Sequence, residues 1–272
     1  MSTQEFSWSD QQDWEGSQER DNVVVDGNTF ELGEKIPDEV IYLLDGRDIN
    51  GTDGQTFSAW SPHRFGDGDA TVDSVTYNAT GVNDIPGGDG DVSAEAHATL
   101  PRELDSLGSQ RLSSAIGVVF STTSSSGIVS GVQPGGNNDE YSIWIESGYS
   151  LTAGRPGIVV GDDSNNSPDN FSVELDTDVT DGDDYFVGFD VDGPSGSDVT
   201  GYLNGSPSPT TVQNSGTLET TPPDFAEEIA LWAWNDAGTI GRFFPGTISG
   251  WFVADAPLGD AGWQDMADYF GF

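Results

Sequence analysis

Short runs in which apolar and polar residues trade places one by one recur along most of this 272-residue chain. Side chains of an extended strand point alternately to opposite faces, so each run fits a half-buried β-strand. Residues 92–100 set Val92, Ala94, Ala96, Ala98 and Leu100 against Ser93, Glu95, His97 and Thr99. Residues 114–120 align Ile116, Val118 and Phe120, and 141–147 put Tyr141, Ile143 and Ile145 opposite Trp144. The same spacing gives Phe171, Val173 and Leu175, then Tyr185, Val187, Phe189 and Val191. Ile229 and Leu231 then stand against Trp232 and Trp234, and a last run covers 247–253. Clusters of Gly, Asp, Asn, Ser and Pro separate the runs, and 36 glycines with 14 prolines tell against a helical bundle. The pattern predicts an all-β fold, an antiparallel β-sandwich of jelly-roll type. One short helix is expected at the C-terminus, with Asp260 as its cap, Trp263, Met266, Ala267 and Phe270 on one face, and Gly271 as its stop.

Residues 1–38 read differently and are expected to form an N-terminal arm or attachment segment, leaving 39–272 as the sandwich domain. The arm is polar, with one hairpin signal where Asp26-Gly27 separates two β-forming stretches. Its isolated aromatics, Phe6, Trp8 and Trp14, suit anchors for docking on the domain or on a neighbouring subunit.

Charge bounds the partners. The chain carries 47 acidic residues against 8 basic ones, a formal charge of −39. Nothing here could neutralise phosphates, which excludes nucleic acid as a direct partner, and an anionic membrane surface would equally repel it. No apolar run is long enough to insert in a bilayer, and the opening MSTQEFSWSDQQDW shows no secretory signal. With no cysteine there are no disulfides and no thiolate sites. Self-repulsion on this scale destabilises a compact chain in dilute buffer, whereas at about 1 M salt the Debye length falls to about 3 Å. The composition therefore fits a protein of near-saturated brine.

Three segments carry a family resemblance. Residues 185–209 pass from a strand through an Asp-Gly turn into a strand ending Tyr202-Leu203-Asn204-Gly205. Residues 228–270 contain Arg242-Phe243-Phe244-x-Gly246-x-Ile248, an Asp255-x-Pro257-Leu258 exit and the terminal helix. The stretches 94–100 and 114–120 suit earlier strands of the same roll. Together they resemble the concanavalin A-like and laminin-G-like domains. The resemblance implies two stacked curved sheets in a family that mostly binds glycans or proteins, with some polysaccharide hydrolases.

Candidate sites follow from residues and resemblance together. Glu174, Asp176 and Asp178 would share one face of a strand, similar to the Glu-x-Asp-x-Glu strand of some concanavalin-like glucanases. Asp178 is shorter than the glutamate that pattern needs, and the segment runs into a polar turn, so a binding protein is expected in preference to an enzyme. His63 and His97 lack any nucleophile-elbow context. Loops at Asp67–Asp69, Asp89–Asp91 and above all Asp162, Asp163 and Asp169 offer oxygens for a structural Ca²⁺, which such domains often carry. Trp144, Trp232 and Trp234 fall out of phase with their aliphatic neighbours, with Trp232 and Trp234 on a common face. They form either a sugar-stacking shelf or a large core filling.

A fold that meets partners outside cells, in a chain without a leader, fits a protein exported inside an assembled particle. The expectation is a virion appendage (tail fibre, spike or turret-like subunit) of a haloarchaeal virus, partnered by copies of itself, other virion proteins and a host-surface glycan or glycoprotein. A concanavalin-like glycoside hydrolase and a purely structural virion protein are the alternatives. The charge argument predicts cooperative unfolding from a β-rich state in molar salt and loss of that state in dilute buffer. Circular dichroism across a KCl series checks this, and equal stability at both ends would refute it.

Overall fold

The computed structural model describes residues 23–25, 28–30, 36–64, 68–102, 104, 107–133, 140–161, 170–218, 225 and 227–272. The chain divides into two units, residues 1–35 and 36–272. In the first, Val23–Val25 and Asn28–Phe30 pair antiparallel with Val25 opposite Asn28, which leaves two residues between the strands.

The second unit is a sandwich of two sheets. The first sheet runs Ser206–Ser208, Val199–Leu203, Asp184–Asp192, Ser113–Ser121, Thr247–Ala254, Val40–Asp45 and Pro62–Arg64 in spatial order. A hairpin of Thr76–Val82 and Ile85–Asp89 joins it at Thr247–Ala254. The second runs Thr210–Ser215, Asn170–Leu175, Gly157–Gly161, Tyr141–Trp144, Ile128–Gln133, Ala230–Leu231, His97–Thr99, Ala70–Asp73 and Ala59–Trp60. Neighbours along both orders are antiparallel, as a jelly roll requires. The chain crosses from the edge of the second sheet to the edge of the first at Ser61, between Trp60 and Pro62.

Alternation decides what lies between the sheets. Ile116, Val118 and Phe120 of the first sheet, with Val187, Phe189 and Val191, meet Tyr141, Ile143, Phe171, Val173 and Leu175 of the second in one interior cluster. Apolar burial of this kind favours the fold by about 25 cal/mol per Å² removed from water. The first sheet is buried on its other face as well. There Ala115, Val119, Phe186 and Phe252 pack against Trp263, Met266, Ala267 and Phe270 of the terminal helix, Gly259–Phe270. Paired glycines make the slot: Gly117 and Gly188 stand opposite each other, and a Cβ on Gly188 would lie 1.9 Å from the Trp263 ring.

Three local expectations are corrected. Residues 92–100 do not form one strand. Asp91 accepts from Ser93 N at 2.8 Å and starts a 3₁₀ turn over Val92–Ala94, and Glu95 turns left-handed (φ 55°) before the strand His97–Thr99. The run at 229–234 is broken by a left-handed Trp232 (φ 57°), so Trp232 and Trp234 leave the chain in different directions. The helix begins after Leu258, which has no side-chain cap of its own, and Asp260 instead sits in the first turn, accepting from the Tyr202 hydroxyl at 3.1 Å. Capping comes across from the sheet. Asp190 accepts from Leu258 N at 3.0 Å, Gly259 N at 2.9 Å and Trp263 Nε1 at 2.8 Å. Gly271, left-handed at φ 78°, closes the helix as expected.

Asp190 is therefore both cap and tether. Replacing Asp190 with alanine strands two backbone donors and a buried indole N–H, and is expected to cost about 3 kcal/mol. Asp190→Asn keeps an acceptor and should cost clearly less. Denaturant unfolding of the three proteins in molar salt checks the order.

Candidate ligand-binding site

The helix occupies the outer side of the first sheet, which leaves the outer side of the second sheet and the sandwich edges as places for a ligand. On that outer side Trp144 is 1% exposed and packs with Ile128, Leu151 and Val159, with Tyr149 and a half-buried Trp234 leaning on them. The Trp144 and Trp234 rings meet edge to face at 6.0 Å. Arg242, paired with Glu146, lies over both, 5.2 Å and 5.3 Å from their centres. Trp232 is elsewhere: fully buried between the sheets, 6.0 Å from Trp60, its Nε1 donating to Gly246 O at 3.0 Å. Neither Trp144 nor Trp232 shows a ring face to solvent, and of the three only Trp234 is part-exposed.

Beneath this cluster lies a carboxylate that the sequence did not single out. Glu140 is 0% exposed, and its Oε1 accepts from the Ser142 hydroxyl and from Trp144 Nε1. Burial pushes its carboxyl up to about 7, although the Ser142 and Tyr149 hydroxyls, the Trp144 N–H and the charge of Arg242 all pull the other way.

The three acids of the glucanase-like spacing are spread over different tasks. Glu174, buried, accepts from Thr152 N at 2.7 Å, Thr152 Oγ1 at 3.0 Å, Gln213 Nε2 at 2.7 Å and Arg155 at 3.4 Å. It fastens the 145–156 segment across the sheet. The strand ends at Leu175, one residue before Asp176, which accepts from Thr211 Oγ1 at 2.9 Å and from Arg155 at 3.3 Å. Asp178 caps its own turn through Thr180 N at 2.9 Å.

Of the metal-type loops, Asp162, Asp163 and Asp169 lie outside the described residues, as does Asp67. Asp89 accepts from Asn78 and Thr247 side chains, and Asp91 serves Ser93, whose bonds hold its carboxyl below the usual carboxylate range. Asp45, Asp48 and His63 bring ligand-type atoms within 4.8 Å of one another. That set does not fit a hard cation: the Arg47 guanidinium sits 2.7 Å from buried Asp45, which also accepts from the Tyr269 hydroxyl.

The open concavity is at the edge. A cleft of about 810 Å³ runs beside the edge strand Ala59–Trp60, lined by Asp48, Asn50, Thr52, Gln55, Thr56 and Ser58 with Ser61, Asp73 and Ser74. Phe57 and Val72 form its apolar floor, both nearly buried, with Phe57 edge-on to Tyr77 at 6.5 Å. Backbone bonds hold the rim in place: Gly54 N to Tyr77 O at 2.9 Å, Tyr77 N to Gln55 O at 2.8 Å, Phe57 N to Val75 O at 3.3 Å and Val72 N to Ser58 O at 3.1 Å. Ser74 is left-handed at φ 59° and donates to Asp73 Oδ1 at 2.8 Å, while Asp48 Oδ2 lies 2.7 Å from His63 Nδ1. No alternation marks residues 48–61 in the sequence. Their signal was a density of hydroxyls and amides around a single phenylalanine.

The raised carboxyl of Glu140 has a definite sign. Its stabilising proton is bound below the ordinary 4.5 and is lost as pH climbs through about 7, a difference worth about 3 kcal/mol. Glu140→Gln is expected to remove that decline, so the variant overtakes wild type in stability above pH 7. Urea unfolding at pH 5 and pH 8 in molar salt reads it out.

No protein-family model matches the sequence, and neither does any curated protein. Solved structures do match. Domain 4 of AbnA, a GH43 extracellular arabinanase from Geobacillus stearothermophilus in complex with arabinotriose, is similar at 13% identity and a TM-score of 0.54, over 84% of this chain and 98% of that one. The botulinum neurotoxin serotype C1 binding domain is similar at 14% identity and a TM-score of 0.53, over 86% of this chain, which spans only 53% of that domain. A mouse laminin α1 LG4-5 structure follows at 17% identity, a TM-score of 0.40, and coverage of 54% and 37%. Strand order, register and the first two likenesses agree: this chain folds as a jelly-roll β-sandwich.

Proposed function

We propose that the chain is a carbohydrate-binding module and that its ligand lies in the cleft beside Ala59–Trp60. The observation that carries the reading is the lining itself. Hydroxyl, amide and carboxylate groups from Asp48 to Ser61 and from Asp73 to Ser74 converge on one concavity with an aromatic floor. Sugars are recognised by such groups because each ring hydroxyl can both donate and accept. Backbone pinning of the rim lowers the ordering cost of binding. The arabinotriose bound to the arabinanase domain supports the same class of ligand on this fold.

At the finer level the module serves as a host-attachment subunit on a haloarchaeal virion, repeated as a homo-oligomer and addressing a surface glycan or glycoprotein. The charge of −39 supports the brine, where screening leaves contact hydrogen bonds to set specificity. A hydrolase is the weaker reading, since Glu174 is taken up by Thr152, Gln213 and Arg155. Neither wild type nor Glu174→Gln should release reducing sugar from soluble β-glucan.

The purified chain in molar KCl is expected to bind haloarchaeal cells saturably, to compete with virus, and to lose that binding once periodate has oxidised the surface sugars. Absence of saturable binding would overturn the attachment role, and binding untouched by periodate would point to protein as the target.

A further inference from the structure

Resting on the carbohydrate-binding reading, we infer that the cleft takes neutral, polyhydroxylated sugars and rejects glycans bearing carboxylate or sulfate groups. Donors, acceptors and charge around one space decide which sugars fit. Its formal charges, Asp48 and Asp73, are both negative. No lysine or arginine is among the residues that line it. The nearest arginine in sequence, Arg47, is committed elsewhere: it donates to both carboxylate oxygens of Asp45, donates to Tyr269 O at 3.3 Å and stacks on the Tyr269 ring at 4.5 Å. The remaining polar groups are the amides of Asn50 and Gln55 and the hydroxyls of Thr52, Thr56, Ser58, Ser61 and Ser74.

Carboxylates are acceptors only, hydroxyls accept as readily as they donate, and each amide contributes one carbonyl acceptor beside its two N–H donors. Such a lining is richer in acceptors than in committed donors. A ligand that completes it must bring hydroxyl donors, as a neutral pyranose or furanose does. A uronate, sialate or sulfate brings more acceptors and a negative charge that must be desolvated beside Asp48 and Asp73, with no lysine or arginine among the described lining residues and the one nearby imidazole, His63, already turned to Asp48 at 2.7 Å, which costs several-fold to orders of magnitude in affinity. Salt weakens repulsion across the solvent but not the loss of hydration at contact, so the discrimination holds in brine. A neighbouring aspartate can also bridge two adjacent hydroxyls of one ring, which an anionic substituent would disrupt.

The test compares soluble probes in molar KCl by isothermal calorimetry on the full chain: neutral arabinotriose and mannotriose against trigalacturonate and sialyllactose. At least one neutral trisaccharide is expected to bind at least 10-fold more tightly than either acidic one. Gln55→Ala should weaken the neutral ligand at least 10-fold, and Asp73→Asn should narrow the gap between neutral and acidic ligands, with circular dichroism confirming that both variants fold. Equal or tighter binding of the acidic sugars overturns the inference and leaves the lectin reading standing. Neutral binding that ignores both substitutions overturns the inference by placing the site elsewhere. Failure of all four probes to bind, with folded protein, counts against the carbohydrate reading itself.

Discussion

Everything in this molecule depends on the first sheet being buried twice. Its inner face shares one core with the second sheet, and its outer face is roofed by the terminal helix through Trp263, which lies in the slot left by Gly117 and Gly188. A sheet covered on both sides has no face left to offer a ligand. A ligand surface is therefore confined to the outer side of the second sheet and to the rim. On the second sheet, however, the 145–156 segment is fastened down by Glu174, and Arg242 overlies the aromatic cluster. Among the described residues a smaller cleft of about 460 Å³ opens beside Ser113, Asp192 and Pro194, and the larger opening is the edge where the chain changes sheets at Ser61.

The acidic composition is organised locally. Asp91 and Asp181 each accept from a backbone N–H two residues on, Asp198 shares a capping box with Ser195, and Asp45 caps the turn at Gly46–Asp48. Carboxylates used in this way satisfy backbone donors that turns would otherwise expose, which is why aspartate suits these loops. Arginines are few and placed where they join distant segments: Arg155 to Glu174 and Asp176, Arg242 to Glu146, Arg102 to Glu228. Glu140 and Asp190 differ from these: among the described residues neither has a cation in direct contact, and burial raises the proton affinity of both.

How much of this was legible in the sequence depended on whether the deciding contact was local. Ile116, Val118 and Phe120, or Phe171, Val173 and Leu175, declare their side by period alone, because the pleat fixes the face without reference to the partner. Asp190 gave no such sign. It lies mid-strand, and its role as cap for a helix nearly seventy residues later exists only once that helix packs on the sheet. Trp232 misled for a similar reason: period two holds only while the strand continues, and a single left-handed residue cancelled the common face assigned to it and Trp234. Segment 92–100 had flawless alternation, yet Asp91 bonding to Ser93 N turned its first half away, while Ala96, Ala98 and Leu100 still reached the core.

The same reasoning explains why the candidate site was hardest to find. Tryptophans attract attention as sugar platforms, but here their size is used for filling, and four of the fully buried ones direct their N–H to fixed acceptors: Trp60 to Asp45 O, Trp144 to Glu140, Trp232 to Gly246 O and Trp263 to Asp190. An indole satisfied in that way is part of the scaffold. The cleft, by contrast, is assembled from side chains with no period and no unusual residue type, brought to one place by backbone bonds between 54–58 and 72–77. Its chemistry comes from convergence, which a linear reading does not display. On the proposed reading such a surface needs no deep pocket, only polar groups held in fixed positions to match ring hydroxyls, and the backbone bonds between 54–58 and 72–77 hold them.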